Sequence, residues 1–536
     1  MVSEPGATHA VDTGIRPMKS IETQVLIIGG GITGAGIARD LALRGVRCVL
    51  IEKHDINAGA SGANHGLLHS GARYVTSDPG SAAECRVEGS LLKKMAPDCV
   101  EETGGLFVAV EGDDEGYVAE FPALCRACGI AVEPVDVPTA LEIEPALSRR
   151  LIAAFQVPDA AVDPFKLTMQ NLHQAVALGC RLFRHSKLVD FTITQGRIAS
   201  AIVSNELTGE RFAVNAGYVI NASGAWARVV ARLAGCTIDL ICSKGSLLVT
   251  HERINHRVIN RLRPSSNADI LVPGGTVSIL GTTSVRVEDP DHIFPTVKEI
   301  DFIVSEGAAM IPRLEQTRFI RAYAGVRPLV GSSKKSDDRS VSRSFALIDH
   351  ADDGVVNFAT ITGGKLTTYR LMAEKTADLI CGHLGVSAVC RTRHEPLPAA
   401  DATRWTEAGY APRQWAKKRD AGDIMLCECE MVPKSVVDEL IDSIHEHNGR
   451  PDLTSLGIRS RIGKGACQGT FCGLRTAAYL YDINELKGRE GLHSIQAFMR
   501  ERWRGVRPLL WDTSLIQAEL QEALYCGLFG VELNDD

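Results

Sequence analysis

Residues 23–52 read TQVLIIGGGITGAGIARDLALRGVRCVLIE. Thr23–Ile28 is a short β-type run. A glycine turn follows, and a helix is predicted from about Thr33 to Arg44, closed at Gly45, because glycine takes the left-handed conformation that ends helices at little cost. Val46–Glu52 is a second apolar strand. Strand, crossover helix and strand in succession open a doubly wound α/β sheet. Gly29-Gly30-Gly31-Ile32-Thr33-Gly34 fits G-x-G-x-x-G at the strand-to-helix turn. Gly29 makes the tight turn, Gly31 lets a pyrophosphate approach the backbone, and Gly34 lets helix and strand pack closely. The helix start offers unpaired N–H groups and a positive dipole end to phosphate. Glu52 lies 52 − 29 = 23 residues on, where a carboxylate accepts from ribose hydroxyls and repels a 2′-phosphate. With 50 glycines in the chain the motif alone is weak; with strand, helix and acid all in place, a dinucleotide site outweighs a structural turn.

Further along, Phe165–Leu178 reads as an amphipathic helix ended by Gly179, and Leu188–Val203 and Arg211–Ile220 alternate like strands of a meander. Ser246–Thr250 and Val277–Gly281 are strand-like, and residues 240–330 are assigned to a substrate-covering part. Val355–Ile361 is a strand and Thr367–Leu384 a helix, with Thr362-Gly363-Gly364-Lys365-Leu366 between them. Residues 396–423 are proline-containing and charged without a clear period, which predicts a linker. Gly-Val-Arg-Pro-Leu occurs at 325–329 and again at 505–509, too short a repeat to imply duplicated architecture.

A length of 536 residues allows roughly two to four domains. Hydrophobic residues make up 45% and charged residues 23%, the balance of a soluble globular protein. A net charge of -7 argues against general nucleic-acid binding. The 15 cysteines, scattered and odd in number, fit a reducing compartment. Residues 1–20 lack the apolar core of a signal peptide and read as a disordered tail. No stretch approaches the roughly 18 uninterrupted apolar residues of a membrane span.

TQVLIIGGGITGAGIARDLALRGVRCVLIEKHDINAGASGANHGLLHSGARYV, from Thr23 to Val75, resembles the opening of FAD-dependent oxidoreductases related to D-amino-acid oxidase. Asn221–Trp226 resembles their second strand-turn at the adenosine side, and Phe358–Arg370 their late turn at the flavin ring. That last run, His69–Tyr74 and Tyr323–Leu329 are similar to glycerol-3-phosphate dehydrogenases in particular. The resemblance implies an α/β fold: an FAD-binding doubly wound, D-amino-acid-oxidase-like domain over residues 21–395 with an antiparallel-sheet substrate domain. It implies FAD contacts from Gly29, Gly31, Gly34, Glu52, Lys53, Ser61, Ala222, Gly224, Gly363, Gly364, Lys365, Leu366 and Thr367. The Gly363-Gly364 turn is expected to aim the N–H groups of Gly364, Lys365 and Leu366 at the flavin, favouring its anionic reduced ring. Around the substrate the resemblance places Arg73, Tyr74, Arg327, Arg343 and Lys365. Two arginines and a lysine suit a phosphate dianion, since guanidinium grips bidentately and ammonium acts as a point charge. The expected reaction is oxidation of sn-glycerol 3-phosphate at C2 to dihydroxyacetone phosphate, with His69 or His65 as the base.

Cys427-Glu428-Cys429 is followed by Cys467 and Cys472. Four thiolates in two close pairs suit a [2Fe–2S] cluster; zinc, which prefers C-x-x-C in both pairs, is the second choice. Pro433–His447 and Gly473–Asp482 read as helices, with Gly463-Lys464-Gly465-Ala466 as a flexible turn. The unit, about 424–482, resembles the small helical bacterioferritin-associated ferredoxin-like [2Fe–2S] domain. Residues 483–536 form a helical tail, in which Gly488–Leu533 either docks a partner or packs on that unit. A flavin fused to a one-electron carrier resembles the flavin-bearing chains of the anaerobic glycerol-3-phosphate dehydrogenase family. That implies a second subunit together with a membrane-anchoring iron–sulfur subunit, electron delivery to quinone, and a cytoplasmic place on the inner face of the membrane. The alternatives are an FAD-dependent 2-hydroxy-acid or amine dehydrogenase with the same relay, and a non-catalytic electron-transfer protein.

Overall fold

In the computed structural model, which describes residues 18–331, 344–399, 401–446 and 449–531, the strands that frame the site are β1 (Lys19–Ile28), β2 (Cys48–Ile51), β3 (Arg211–Asn221), β4 (Leu240–Thr250), β5 (Phe319–Val330) and β6 (Phe358–Gly363). The helices that cover them are α1 (Ile32–Leu43), α2 (Pro164–Ala177), α3 (Val297–Met310) and α4 (Tyr369–Leu384). β1 outruns its apolar core because Lys19–Thr23 pairs in parallel with Phe212–Ala216, so Lys19 and Ser20, expected in the tail, belong to the sheet. Val25–Ile28 are buried, as in a parallel strand covered on both faces. α1 ends with Gly45 at φ +76°, as expected.

β1 pairs in parallel with β2 on one side and β3 on the other, and β3 pairs in parallel with β6 at its C-terminal end. The run Leu188–Val203 divides at a Gln195-Gly196 turn into two antiparallel strands, Ser186–Thr194 and Arg197–Asn205, the second pairing with β3. One face buries Val25 and Ile27 against Ala38 and Leu41 of α1, Leu172 of α2 and Ala377 of α4. The other buries Leu26 and Ile28 with Phe191 and Val203 of the meander. β6 begins later than the predicted Val355, because Ala351–Gly354 turns back from Phe345–Asp349, which pairs antiparallel with it.

The covering sheet is organised around β4 and β5, antiparallel from Leu240↔Val330 to Thr250↔Phe319. It is not confined to residues 240–330: Val258–Arg261 pairs in parallel with Gly105–Val110, which brings in Leu151–Val157 and Glu133–Val135. Ile300 and Ile303 of α3 pack under it with Leu248 and Leu280.

The segment expected as a linker carries a short turn of helix and a second helix at Tyr410–Lys418. Trp405 and Ala411 are buried in one core with Leu426 and Cys427, and Trp405 Nε1 donates to Glu439 at 2.9 Å. The cysteine-bearing part contains α5 (Lys434–Glu446), α6 (Leu453–Arg459), α7 (Cys472–Asp482), α8 (Glu490–Trp503) and α9 (Asp512–Glu522). The tail packs rather than projects: Phe498, Met499 and Tyr525 share a core with Leu453 and Ala477. Leu509, from the second pentapeptide, enters the core of the covering sheet.

Arg370 at the start of α4 meets Glu88 of the helix Pro79–Met95 bidentately, both contacts 2.7 Å and both side chains buried. Breaking a buried pair strands a charge. Glu88→Ala is expected to lower the unfolding free energy by about 3 kcal/mol, read from the denaturant midpoint; an unchanged midpoint would show that Glu374, 2.7 Å from Arg370 Nη1, carries the pairing alone.

Candidate active site

A Cβ on Gly34 would overlap the carbonyl oxygen of Gly29, and one on Gly29, at φ +119°, would stand 2.6 Å from the carbonyl oxygen of Ala222. Glycine at both positions lets the start of α1 and the Ala222–Gly224 turn close on the end of β1. Glu52 Oε2 accepts from Gly30 N at 2.7 Å and Oε1 from His54 N at 2.9 Å. Burial raises the Glu52 carboxyl above its usual range, and the two N–H groups oppose that. Ser61 Oγ accepts from Ile32 N at 3.0 Å, at the N-terminus of α1.

A cavity of about 490 Å³ runs from this turn to β6. Of the residues expected at the cofactor, Gly29, Gly31, Glu52, Lys53, Ser61, Ala222, Gly224, Gly363, Gly364, Lys365 and Leu366 line it. Gly34 instead packs against Gly29, and Thr367 Oγ1 accepts from His69 N at 3.1 Å. Lys53 pairs with Asp291 at 2.8 Å and lies 4.0 Å over the Trp226 ring. Gly363 and Gly364 have φ +84° and +72°, where a side chain would be strained. The N–H groups expected to face a flavin are partly engaged: Gly364 N donates to Ser344 O and Lys365 N to Thr368 Oγ1, both at 3.3 Å.

The same cavity gathers most of the predicted substrate residues. His65, His69, Arg73, Tyr74, Arg327 and Lys365 all line it. Tyr74 Oη is 3.4 Å from His69 Nε2, Lys365 Nζ lies 4.7 Å over the Tyr74 ring, and the His65 and His69 rings are 6.2 Å apart. Burial pushes His69 well below the usual histidine value, and the charges of His65, Arg73 and Lys365 add to this, so its imidazole is neutral at neutral pH. Arg327 Nη1 donates to Thr283 O at 3.1 Å and Nη2 donates to Thr282 Oγ1. Thr283 Oγ1 in turn donates to Glu299 Oε1 at 2.9 Å, and Glu299 pairs with Lys244 at 2.8 Å. Arg73 lines the cavity with one arm of its guanidinium anchored: Nη2 donates to Asp269 at 2.9 Å and to Ser266 O at 2.8 Å, while buried Nη1 has no hydrogen-bond partner among the described residues. Arg343 lies outside the described residues. Thr282 and Thr283 belong to no recognisable motif; their signal is the polar Thr-Thr-Ser run directly after the strand Val277–Gly281.

In the cysteine unit the Sγ atoms of Cys427 and Cys429 are 3.8 Å apart and those of Cys429 and Cys467 3.5 Å. Cys472 is buried in the same core as Cys427. Converging thiols, with Cys429 exposed, form a soft donor set that fits an iron–sulfur cluster. Cys236, His350 and Asp353 also bring ligand atoms within 4.8 Å of one another, which sequence spacing does not reveal. The His350 ring is already held by Asp353 at 2.7 Å and Thr360 at 2.9 Å.

A glycine-built dinucleotide cradle that shares one cavity with a basic, histidine-bearing lining is the arrangement of a dinucleotide-dependent oxidoreductase. Residues 24–379 match the family model for FAD dependent oxidoreductases. A relative from Escherichia coli (strain K12), named as one of the subunits of the anaerobic glycerol-3-phosphate dehydrogenase, is 42% identical over 539 aligned positions, covering 96% of this chain and 99% of the relative. Its counterpart in the Haloferax volcanii enzyme of the same name is 38% identical, covering 94% and 89%. The solved glycerol-3-phosphate dehydrogenase of Bacillus halodurans, complexed with FAD, aligns over 96% of this chain and 97% of its own with TM-score 0.56 and 20% identity, a likeness of fold. The chain belongs to the FAD-dependent oxidoreductase family, in the branch of the anaerobic glycerol-3-phosphate dehydrogenases.

His54, His69 and His185 are all depressed below the usual 6.5, burial being the first cause in each. Below that value the unfolded chain binds protons that the folded chain does not. Stability is therefore full above pH 6.5 and falls as the pH drops from there toward the lower folded values. The urea midpoint should be lower at about pH 5.5 than at about pH 7.5, and His69→Gln should shallow the fall. An unaltered pH slope in His69→Gln would contradict a buried neutral imidazole.

Proposed function

We propose that the chain is the flavin-bearing catalytic component of a quinone-linked glycerol-3-phosphate dehydrogenase: it oxidises sn-glycerol 3-phosphate to dihydroxyacetone phosphate and relays the electrons through a [2Fe–2S] cluster. The observation that carries this is that Arg327, Lys365, Tyr74 and His69 line the same cavity as the dinucleotide turn. The names of the relatives from Escherichia coli and Haloferax volcanii support the substrate. Gly29, Gly31, Glu52, Ser61, Ala222, Gly224 and the Gly363–Leu366 turn, which line the cavity, would hold FAD, which would supply the acceptor for the C2 hydride.

Arg327 offers the phosphate a planar pair of donors, and Lys365 adds a point charge. Thr282 and Thr283, with Glu299 behind them, hold the guanidinium in place. Gripping the head group fixes the position of C2, and such orientation is worth several kcal/mol of barrier. His69, beside Tyr74, takes the C2 hydroxyl proton once the bound phosphate dianion offsets the cations that lower its basicity. Lys365 stabilises the negative charge that develops on the C2 oxygen.

Cys427, Cys429, Cys467 and Cys472 would hold the cluster, which supplies one-electron transfer. Residues 21–395 form the flavin part in this reading and 424–482 the cluster unit. Residues 396–423 and the tail pack on that unit. No described helix is long and apolar enough to cross a membrane. In this reading a second subunit and a membrane-anchoring iron–sulfur subunit complete the enzyme on the inner face of the membrane.

Arg327→Ala is expected to raise KM for glycerol 3-phosphate by about 100-fold, the cost of truncating one partner of a desolvated charge pair, with flavin content unchanged; unaltered kinetics would remove Arg327 from the site. Cys467→Ser should abolish quinone-linked turnover and leave activity with an artificial dye. Intact quinone turnover in that variant would sink the relay.

A further inference from the structure

The loop between α6 and α7 carries Cys467 and ends at Cys472, and its polar backbone is bonded by side chains from the C-terminal segment. Arg502 Nη1 donates to Gly463 O at 2.7 Å, Gln517 Nε2 to Ala466 O at 3.3 Å, and Tyr525 Oη to Gly469 O at 2.8 Å. Gln521 is the hub. Its Nε2 donates to Cys467 O at 3.1 Å and Thr470 Oγ1 at 2.9 Å, and its Oε1 accepts from Trp503 Nε1 at 2.8 Å. The Phe498 ring presses on three glycines of this stretch: a Cβ on Gly463, Gly469 or Gly473 would come within 2.6, 2.6 and 3.0 Å of it.

α9 has an inverted pattern. Its buried residue is Gln521, 4% exposed, while Ile516 is 65% and Leu520 45% exposed. Burying an amide is costly unless it satisfies other polar groups, and the groups it satisfies here belong to the cysteine loop. The loop also needs restraint. Gln468 is held at φ +48° and Gly469 at φ +92°; a non-glycine residue at positive φ persists where its surroundings over-determine it. Gly465 lets Cys429 Sγ approach to 2.5 Å from where a Cβ would stand, so the two cysteine pairs depend on the same loop path.

We propose that the C-terminal segment is a clamp on the ligand loop, and that Gln521 is the positioning residue that sets the geometry and retention of the thiolates of Cys467 and Cys472. This rests on the cluster reading above. Groups that orient metal ligands from behind commonly govern affinity by about 10–100-fold, and hydrogen bonding around a cluster sets its potential.

The test uses the full-length chain purified anaerobically with flavin and cluster in place. Gln521→Glu keeps the shape and the acceptor for Trp503 and removes the donor to Cys467 O; Tyr525→Phe removes one hydroxyl. Cluster loss to a chelator, followed by visible absorbance, should be about tenfold faster in Gln521→Glu, with a smaller acceleration in Tyr525→Phe. The cluster's midpoint potential and its paramagnetic resonance line shape in the reduced state should shift, while dye-linked oxidation of glycerol 3-phosphate and flavin content stay at parent values. Parent-like loss rates, potential and line shape in both variants overturn the clamp alone. A parent chain whose four thiols take up no iron and sulfide overturns the cluster reading and the clamp with it.

Discussion

Where the first turn of α1 meets the end of β1, no side chain fits at either Gly29 or Gly34, and the Ala222 carbonyl closes the third side. That backbone contact sets the spacing between α1, β1 and the turn after β3. It also decides what else can sit there. Glu52 is drawn in to accept from Gly30 N, and Ser61 bonds the N-terminus of α1. The cavity wall then continues to the Gly363-Gly364 turn at the end of β6, in the same sheet as β1 and β3. The covering sheet closes the remaining side, and through it Arg327 and the threonines that hold it reach the same space.

The electrostatics of that space follow from which carboxylates lie behind the cations. Asp269 takes Arg73, and Glu299 takes Lys244. Glu299 also fixes Thr283 and so acts on Arg327 at one remove. His69 lies among Arg73, Lys365 and His65 in a buried setting, an environment that keeps the imidazole uncharged and disfavours its protonation until an anion offsets those cations. The cysteine unit is tied to the flavin part close to this cavity. Asp55, in the loop after β2, is buried against Arg184 at 3.2 Å and Arg459 of α6 at 3.0 Å, and those two guanidiniums hold its carboxyl far below the usual range.

Local chemistry was legible in the sequence. The glycine turn, the cap at Gly45, the acid at Glu52 and the paired cysteines each carry their reason within a few residues. Features that depend on distant partners were not. Arg73 lies 196 residues from Asp269, and no local pattern marks that pairing. The parallel match of Val258–Arg261 with Gly105–Val110 likewise leaves no trace in either segment alone. Prolines and charges made 396–423 look like open connection, although Trp405 and Ala411 fill the core beside Cys427. In α9 the usual rule inverts, with glutamine inside and isoleucine outside, so amphipathicity could not show which face packs.

The central claim is that a cationic pocket presents a phosphorylated secondary alcohol to the flavin. The most direct measurement is anaerobic addition of glycerol 3-phosphate to the purified flavin-loaded chain, following the flavin's visible absorbance. The account predicts bleaching by glycerol 3-phosphate and none by glycerol at the same concentration. A flavin that stays oxidised with glycerol 3-phosphate but bleaches with an unphosphorylated 2-hydroxy acid or amine would contradict it.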